Sequence, residues 1–499
     1  MTALASIPTA PQGLPVLGHL GPLLRDPLAF LTSLHGHGDL VRVRLGPRTA
    51  VVVCAPEPVN QLLRDDRTFD RGGPYFDRLA ELLGDSLAVC PHHRHRRQRR
   101  LVQPAFRSSR FPGYAKIMTA RITETTDSWH DGQVLDIFAE MMSLTARITV
   151  ATMFSDSLPP PSMRHALDDL AHVFRGVGRR IFTPSALARL PTPGNRRYQQ
   201  AVTRLRGTLG DVIAERRAGA VDHGDLVSAL LADHDADEHQ GLTDTELIDQ
   251  ALAFFGAGTE TTATTLAWAL YLIDQHPDVA RRLHAEVTSV LDGAPAAGLE
   301  HVDRLEFTSR VIKETLRLYP PGWMFTRTAT ADTHLGGHSI PAGTTLLYSP
   351  YLLHHRPDLH ADPERFDPDR WDDRRPQPRR EAFIPFGAGA RKCIGDRFGL
   401  TVTTLALATI VVHWRLHTQS GRQVRPAPGA VLTPKGLRMR AVARPQRPGT
   451  ESQHRANGEP SPGVRTADSS GAHSPTAPRG VSPTAPAQAD SSAEDRSHP

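Results

Sequence analysis

The sequence predicts a mainly α fold with small β-sheets. Three observations carry that reading. Residues 243–276 form one unbroken helical pattern, about 50 Å long at 1.5 Å per residue, and apolar around most of its circumference. Helical periodicity also runs through 114–153 and 197–217. Strand signals are confined to short alternating stretches near 40–55 and 333–348.

Each element has a local cause. Residues 1–12 lack a basic region followed by an apolar one, so they read as a flexible N-terminus and not a signal peptide. Residues 40–55, LVRVRLGPRTAVVVCA, alternate around Gly46-Pro47 and predict a hairpin. Thr243-Asp-Thr-Glu246 is a capping box that starts the long helix, and Pro277 stops it. A further helix is expected over 302–318, ending at Tyr319-Pro320-Pro321, and another over Phe398–Trp414. From Gly449 to Pro499 there is no Leu, Ile or aromatic residue, and SPTAP occurs at 474–478 and 482–486. Such a tail cannot bury enough apolar surface to offset its ordering entropy and is expected to be disordered. The folded domain is therefore placed at 13–445.

Composition narrows the function classes. No run of eighteen apolar residues occurs, so no integral membrane segment is expected. Cys54, Cys90 and Cys393 form no C-x-x-C pair, which argues against a disulfide scaffold or zinc ribbon and fits a reducing cytoplasm. Cys54 and Cys90 read as small buried hydrophobes.

Three constellations carry chemistry. The first is FFGAGTETT at 254–262, inside the long helix, where Gly256 and Gly258 each cost about 1 kcal/mol against Ala. Either the threonines bond back to the preceding turn, or the helix ladder opens where a ligand approaches. The second is Glu314-x-x-Arg317, an ion pair on one helix face, which the Arg365 of Pro363-Glu-Arg-Phe366 could join. The third is FIPFGAGARKCIGDRFG at 383–399. There Cys393 lies among Gly387, Gly389 and Gly395, two residues after Arg391, at the start of a helix whose dipole favours a thiolate. One sulfur cannot hold zinc or an iron–sulfur cluster, but one thiolate can be the axial ligand of haem iron.

These motifs resemble the cytochrome P-450 family. Phe386-Gly-Ala-Gly-Ala-Arg391-Lys-Cys393-Ile-Gly395 matches its F-x-x-G-x-R-x-C-x-G haem signature. Ala257-Gly258-Thr-Glu260-Thr261-Thr matches its oxygen-activation motif, and Glu314, Arg317 and Arg365 match its buried Glu–Arg–Arg core. All stand in family order over 13 to about 445. The resemblance implies a triangular helical prism with a long central helix. It implies haem b bound through Cys393, dioxygen as co-substrate, and electrons drawn ultimately from NAD(P)H. Glu260 and Thr261 would deliver protons, and Gly258 would leave room for dioxygen. Partners would be a ferredoxin and its ferredoxin reductase, since the chain has no flavin or iron–sulfur segment. The protein is expected to be a cytoplasmic monomer.

The same resemblance gives a role to HHRHRRQRR at 92–100, where five arginines and three histidines share nine positions. Taken alone, the stretch could grip nucleic acid, dock an acidic partner or neutralise an anionic cofactor. By resemblance, His95, Arg99, Arg327 and Arg391 reach the haem propionates. Arg96, Arg97 and Arg100 then face an acidic ferredoxin. Nucleic acid is not expected as a partner, because no aromatic interleaving supports it.

For the substrate pocket, Phe254, Phe255, Trp323, Met324, Phe325 and Leu432 are the candidates, with the 72–90 segment beside them. They are mostly apolar and imply a small lipophilic substrate. GGPYFDRL, HRHRRQRRLVQPAF and TETTATTLAWALY look like actinobacterial terpene oxidases of the pentalenene oxygenase type, which implies a cyclic sesquiterpene. Fatty acid, steroid or polyketide oxidation is the alternative, as is a haem protein that isomerises its ligand without inserting oxygen.

Overall fold

The computed structural model describes residues 3–155, 190–219, 221–232, 241–419 and 423–445, with scattered positions between 165 and 180. The tail reading, 449–499, lies outside the described residues.

The expected hairpin is present. Strands β1 (Leu40–Leu45) and β2 (Arg48–Val53) pair antiparallel, with Leu45 opposite Arg48. Gly46 between them takes φ +63, which a glycine adopts without strain. β3 (Phe69–Asp70), β4 (Val134–Asp136), β5 (Phe325–Ala329), β6 (Thr333–Leu335), β7 (His338–Ile340) and β8 (Thr345–Tyr348) follow. The largest sheet has the order β1-β2-β8-β5-β3, with β2 and β8 parallel and the other pairs antiparallel. β9 (Trp414–Thr418) and β12 (Arg438–Ala443) join β4 in a three-stranded sheet of order β4-β12-β9, while β10 (Arg425–Pro428) pairs with β11 (Leu432–Lys435).

The helices that position the site are α1 (Pro74–Leu83), α2 (His92–Val102), α3 (Phe111–Asp127), α4 (Ile137–Phe154), α5 (Pro193–Gly219), α6 (Asp244–Gln275), α7 (Pro277–Leu291), α8 (Glu306–Leu318) and α9 (Asp396–His413). Helical periodicity over 114–153 is thus split, because β4 interrupts it. Trp414 belongs to a strand and not to the helix before it.

The long helix, α6, obeys its sequence signals at both ends. Thr243 accepts from the Glu246 N–H at 3.2 Å, and the Glu246 carboxylate accepts from the Thr243 N–H at 2.9 Å. Pro277 opens α7 directly afterwards. Between them the helix runs unbroken through Gly256 and Gly258, so of the two readings left open the opened ladder does not occur. Instead Thr261 donates to the Ala257 carbonyl at 2.6 Å, and Thr265 to the Thr261 carbonyl at 2.9 Å. Gly258 has a packing cause as well: a Cβ there would sit 3.2 Å from the Thr149 hydroxyl on α4. The two helices lie close enough for Thr145 to donate to the Thr259 carbonyl at 3.0 Å.

α4 is long and apolar enough, by length and composition, to cross a membrane. Its residues are 67% buried inside the protein, against α6 and α3, so it is a core helix. The main core lies among α3, α4, α6, α7, α8 and α9. A second core lies under α1, α2 and α5, and a third under the five-stranded sheet.

Candidate active site

A cavity of about 390 Å³ opens between α6 and the loop that precedes α9. Cys393 forms part of its floor, with Phe386, Ile394 and Gly395 beside it. The loop is shaped by glycines at two points. Gly387 and Gly389 both have φ +68, and a Cβ on Gly389 would lie 2.2 Å from the Leu63 carbonyl oxygen. The Cys393 N–H donates to the Phe386 carbonyl at 3.0 Å, which fixes the turn. The sulfur is exposed only in the sense that it faces this cavity. Burial pushes the Cys393 thiol up, while the Gly395 N–H and the charges of Arg99 and Lys392 pull it down. α9 starts three residues later and adds its N-terminal dipole. A cation at the sulfur would complete the deprotonation.

Along one side of the cavity stand Arg71, His95, Arg99, Arg327 and Arg391. Arg391 was expected to reach an anionic cofactor directly. It lines the cavity and is also engaged by protein: Nε meets Asp66 and Nη2 meets Asp70, both at 2.9 Å, and Nη1 donates to the Cys90 carbonyl at 2.7 Å. Arg327 is different. Its Nε and Nη1 are buried without a partner among the described residues, and burial lowers its pKa. Arg71, which sequence reasoning missed, is in the same position. Its Nη1 is held by the carbonyls of Leu87 and Ala88, its Nε is unpartnered, and burial pushes it down to about 9.

Arg99 clamps the cysteine loop through the Ala390 and Lys392 carbonyls at 3.1 and 2.7 Å. His95 is pushed down to about 3, chiefly by burial and then by Arg391 and Arg71, so its ring is neutral. Four arginines here face two carboxylates, Asp66 and Asp70, which leaves an excess of two positive charges. Buried cations with unused N–H groups require an anion. A flat macrocycle with two propionates, seated on a cysteine ligand, fits this donor set.

Over the floor lie Ala257, Gly258, Glu260 and Thr261 of α6. Burial alone raises the Glu260 carboxyl to about 7. Of the expected substrate contacts, Phe254 and Phe325 line the cavity. Phe255, Trp323, Met324 and Leu432 do not, and their assignment is corrected. Phe255 is one residue on from Phe254, so the helical period turns it about 100° away into the second core. Trp323 is locked into the third core, with its Nε1 on the Gly429 carbonyl at 3.0 Å. Leu432 is fully buried there, and Met324 packs against the same cluster. The cavity wall comes instead from α1 and its neighbours, including Tyr75, Phe76, Leu79, Phe106 and Met153.

The cytochrome P450 family model matches residues 8–440. The chain belongs to the cytochrome P450 family. It is similar to cyclooctat-9-en-7-ol 5-monooxygenase of Streptomyces melanosporofaciens, 46% identical over 85% of this chain and 91% of the relative. It is also similar to pentalenene oxygenase of Streptomyces avermitilis, 43% identical over 87% and 97% of the two chains. The heme domain of cytochrome P450DA superposes with a TM-score of 0.78 at 26% identity, covering 88% of this chain and 98% of that one. This P450 is thus a haem-thiolate monooxygenase, using haem b, dioxygen and electrons that originate in NAD(P)H through a redox partner.

The P450's buried Glu–Arg core corrects one further expectation. Glu314 and Arg317 are both fully buried and form a bidentate pair at 2.9 Å for each contact. Trp371 donates to the same carboxylate at 2.9 Å, and Arg370 approaches it at 3.4 Å. Arg365 does not. Its side chain is exposed, and it contributes only its carbonyl, which accepts from Arg317 at 3.1 Å. The sequence holds two similar strings, Pro363-Glu-Arg365-Phe and Pro368-Asp-Arg370-Trp, and the second occupies the network.

The arginine run on α2 divides by face. His95 and Arg99 turn to the cavity. Arg97 was expected to be exposed for a partner. It bonds Glu246 at 2.7 Å and the Gly241 carbonyl at 2.9 Å. Gln98 bonds Glu246 at 2.8 Å and also Gln250 at 2.7 Å. Arg94 pairs with Asp85. Arg96 and Arg100 remain exposed, without partners among the described residues.

Proposed function

We propose that this P450 hydroxylates or further oxidises a cyclic terpene. The observation that carries the reading is the cavity above Cys393, walled by Phe76, Leu79, Phe106, Met153, Phe254 and Phe325. Such a wall suits a rigid hydrocarbon skeleton. The names of two relatives at 43–46% identity, a cyclooctatenol monooxygenase and a pentalenene oxygenase, support it.

When bound, haem supplies the redox-active iron that activates dioxygen. Cys393 would hold its iron through the thiolate. Arg71 and Arg327 would bind its carboxylates with their unused N–H groups, neutral His95 would donate one more hydrogen bond, and Arg99 holds the cysteine loop in place. Glu260, with a pKa near 7, takes a proton from solvent and passes it on at neutral pH. The Thr261 hydroxyl, resting on the Ala257 carbonyl, is its adjacent acceptor and donor. An acidic ferredoxin docks against the exposed arginines of α2, Arg96 and Arg100. The protein works in the cytoplasm, where its ferredoxin and ferredoxin reductase are.

The test is a spectral titration of the ferric protein with cyclic sesquiterpenes, cyclic diterpenes, steroids and fatty acids. The reading requires the low-to-high-spin shift from cyclic terpenes at the lowest concentrations. A shift from fatty acids or steroids alone would overturn it.

A further inference from the structure

Tyr75 lines the cavity, and its hydroxyl has no hydrogen-bond partner among the described residues. Its polar neighbours include the charged groups Arg71 and Glu260, while most of the cavity's threonines are bonded within their own helices. Thr149, Thr261, Thr265 and Thr403 also line the cavity. Each donates its hydroxyl proton to a carbonyl one turn back in its own helix, at 2.6–2.9 Å. The Thr152 hydroxyl is unpartnered but sealed away from the open space. Tyr75, Thr262 and Tyr348 are therefore the lining hydroxyls left without a hydrogen bond among the described residues, and Tyr348 lies against the Arg327 guanidinium, 5.7 Å from its ring centroid, on the side of the unpaired cations.

The ring is held in place by two other aromatic residues of the cavity wall. It meets Phe325 and Phe76 edge-on, with centroids 5.8 and 5.2 Å away. The turn before it is fixed to the five-stranded sheet. Thr326 donates to the Gly72 carbonyl at 2.7 Å, and Gly73 has φ +81. A Cβ on Gly72 would lie 2.6 Å from the Thr328 hydroxyl. A rigid polar point in an apolar cavity fixes the orientation of what binds there.

We infer that Tyr75 is a specificity-determining residue that hydrogen-bonds an oxygen already present on the substrate. The preferred substrate is thus a terpene alcohol or ketone, not the bare hydrocarbon. This rests on the terpene reading above. It places the enzyme after a step that has already put oxygen on the skeleton, either water capture ending a cyclisation or an earlier hydroxylation. The hydroxyl pins one end of the skeleton near α1 and presents a distant carbon to the floor at Cys393.

The experiment compares matched pairs, cedrene with cedrol and further cyclic sesquiterpene and diterpene hydrocarbons with their alcohols. Each is titrated into holoenzyme, wild type and Tyr75→Phe, by the spin-state shift. One neutral hydrogen bond of about 1 kcal/mol corresponds to roughly fivefold tighter binding of an alcohol over its hydrocarbon. Tyr75→Phe should abolish that preference and leave haem transfer to apomyoglobin at the wild-type rate. Equal binding within every pair, or a preference that survives in Tyr75→Phe, overturns the anchor and leaves the terpene reading standing. Binding of no pair, with fatty acids still binding, overturns both. Faster haem loss from Tyr75→Phe would assign the hydroxyl to a propionate and also overturn the inference.

Discussion

Arg97 on α2 donates to Glu246 at 2.7 Å, and the same carboxylate closes the capping box of the longest helix. The basic helix beside the haem pocket is thereby tied to the start of the helix that crosses above it. Gln98 and Gln250 extend the tie, and Gln250 accepts from the Leu87 N–H at 3.1 Å. Arg97→Ala should therefore lower stability by about 1–2 kcal/mol, the usual cost of a lost cap or a hydrogen bond to a charged group. Arg96→Ala should stay within about 0.5 kcal/mol, as for other exposed sites. It should instead slow ferredoxin-dependent turnover, most at low salt. Denaturant melts and turnover at two ionic strengths separate the two variants.

Arg71 and Arg391 lie on the same side of the cavity but are used differently. Arg391 neutralises Asp66 and Asp70, so Arg391→Ala leaves Asp66 with His92 and Asp70 with backbone N–H groups as their remaining partners, and should cost about 3 kcal/mol even without haem. Arg71→Ala or Arg327→Ala removes a buried cation that has no carboxylate partner among the described residues. Those variants should keep or raise the melting temperature of the apoprotein while losing haem faster. Apoprotein melting and haem transfer to apomyoglobin give the two readouts.

Much of this was legible in the sequence, where a repeating or reciprocal pattern carried it. The capping box Thr243–Glu246 and Pro277 set both ends of α6, because the signals there are local. Gly387 and Gly389 marked the cysteine loop because only glycine takes φ +68 freely. What failed lay in irregular segments. Residues 321–325 and 431–434 have no period to say which side chains face inward, so Trp323 and Leu432 were assigned to a cavity they do not reach. Arg71 is a single arginine in a turn, and its burial depends on the distant carbonyls of Leu87 and Ala88. Arg365 and Arg370 sit in near-identical strings, and only tertiary packing chooses between them.

That choice is testable. Trp371→Phe removes a hydrogen bond to the fully buried Glu314 and should cost about 1.5–3 kcal/mol. Arg365→Ala retains the carbonyl that Arg317 uses and should change stability by less than about 0.5 kcal/mol. Equilibrium unfolding of the two variants checks the contrast.

Three buried histidines make the fold acid-sensitive. His355 and His360 are each pushed down to about 4, and His354 well below its ordinary value, in every case chiefly by burial. His354 must be neutral, since one ring nitrogen accepts from the Ile384 N–H at 3.0 Å. Because the folded pKa values are depressed, the unfolded chain binds more protons below about pH 6.5. Stability is full above that pH and falls as pH drops toward 4, by roughly 1.4 kcal/mol per unit for each histidine. Unfolding free energies between pH 7.5 and 5 should show this slope, and His355→Phe should make it shallower.

Glu260 and Thr261 are adjacent, so on the unbroken helix they point about 100° apart. Both still line the cavity, as the proposed proton path through them requires. Thr261→Ala also removes the bond to the Ala257 carbonyl, yet that carbonyl already serves the helix ladder, so folding should survive. The variant should bind substrate and accept electrons normally. Its reductant should emerge as hydrogen peroxide in place of oxygenated product. Glu260→Gln removes the group that titrates near 7. Its coupling should be low and nearly flat between pH 6 and 8, where the wild type varies. Product, peroxide and reductant measured together across that range decide the matter. Full coupling in both variants would show that the proton path does not pass through these two residues.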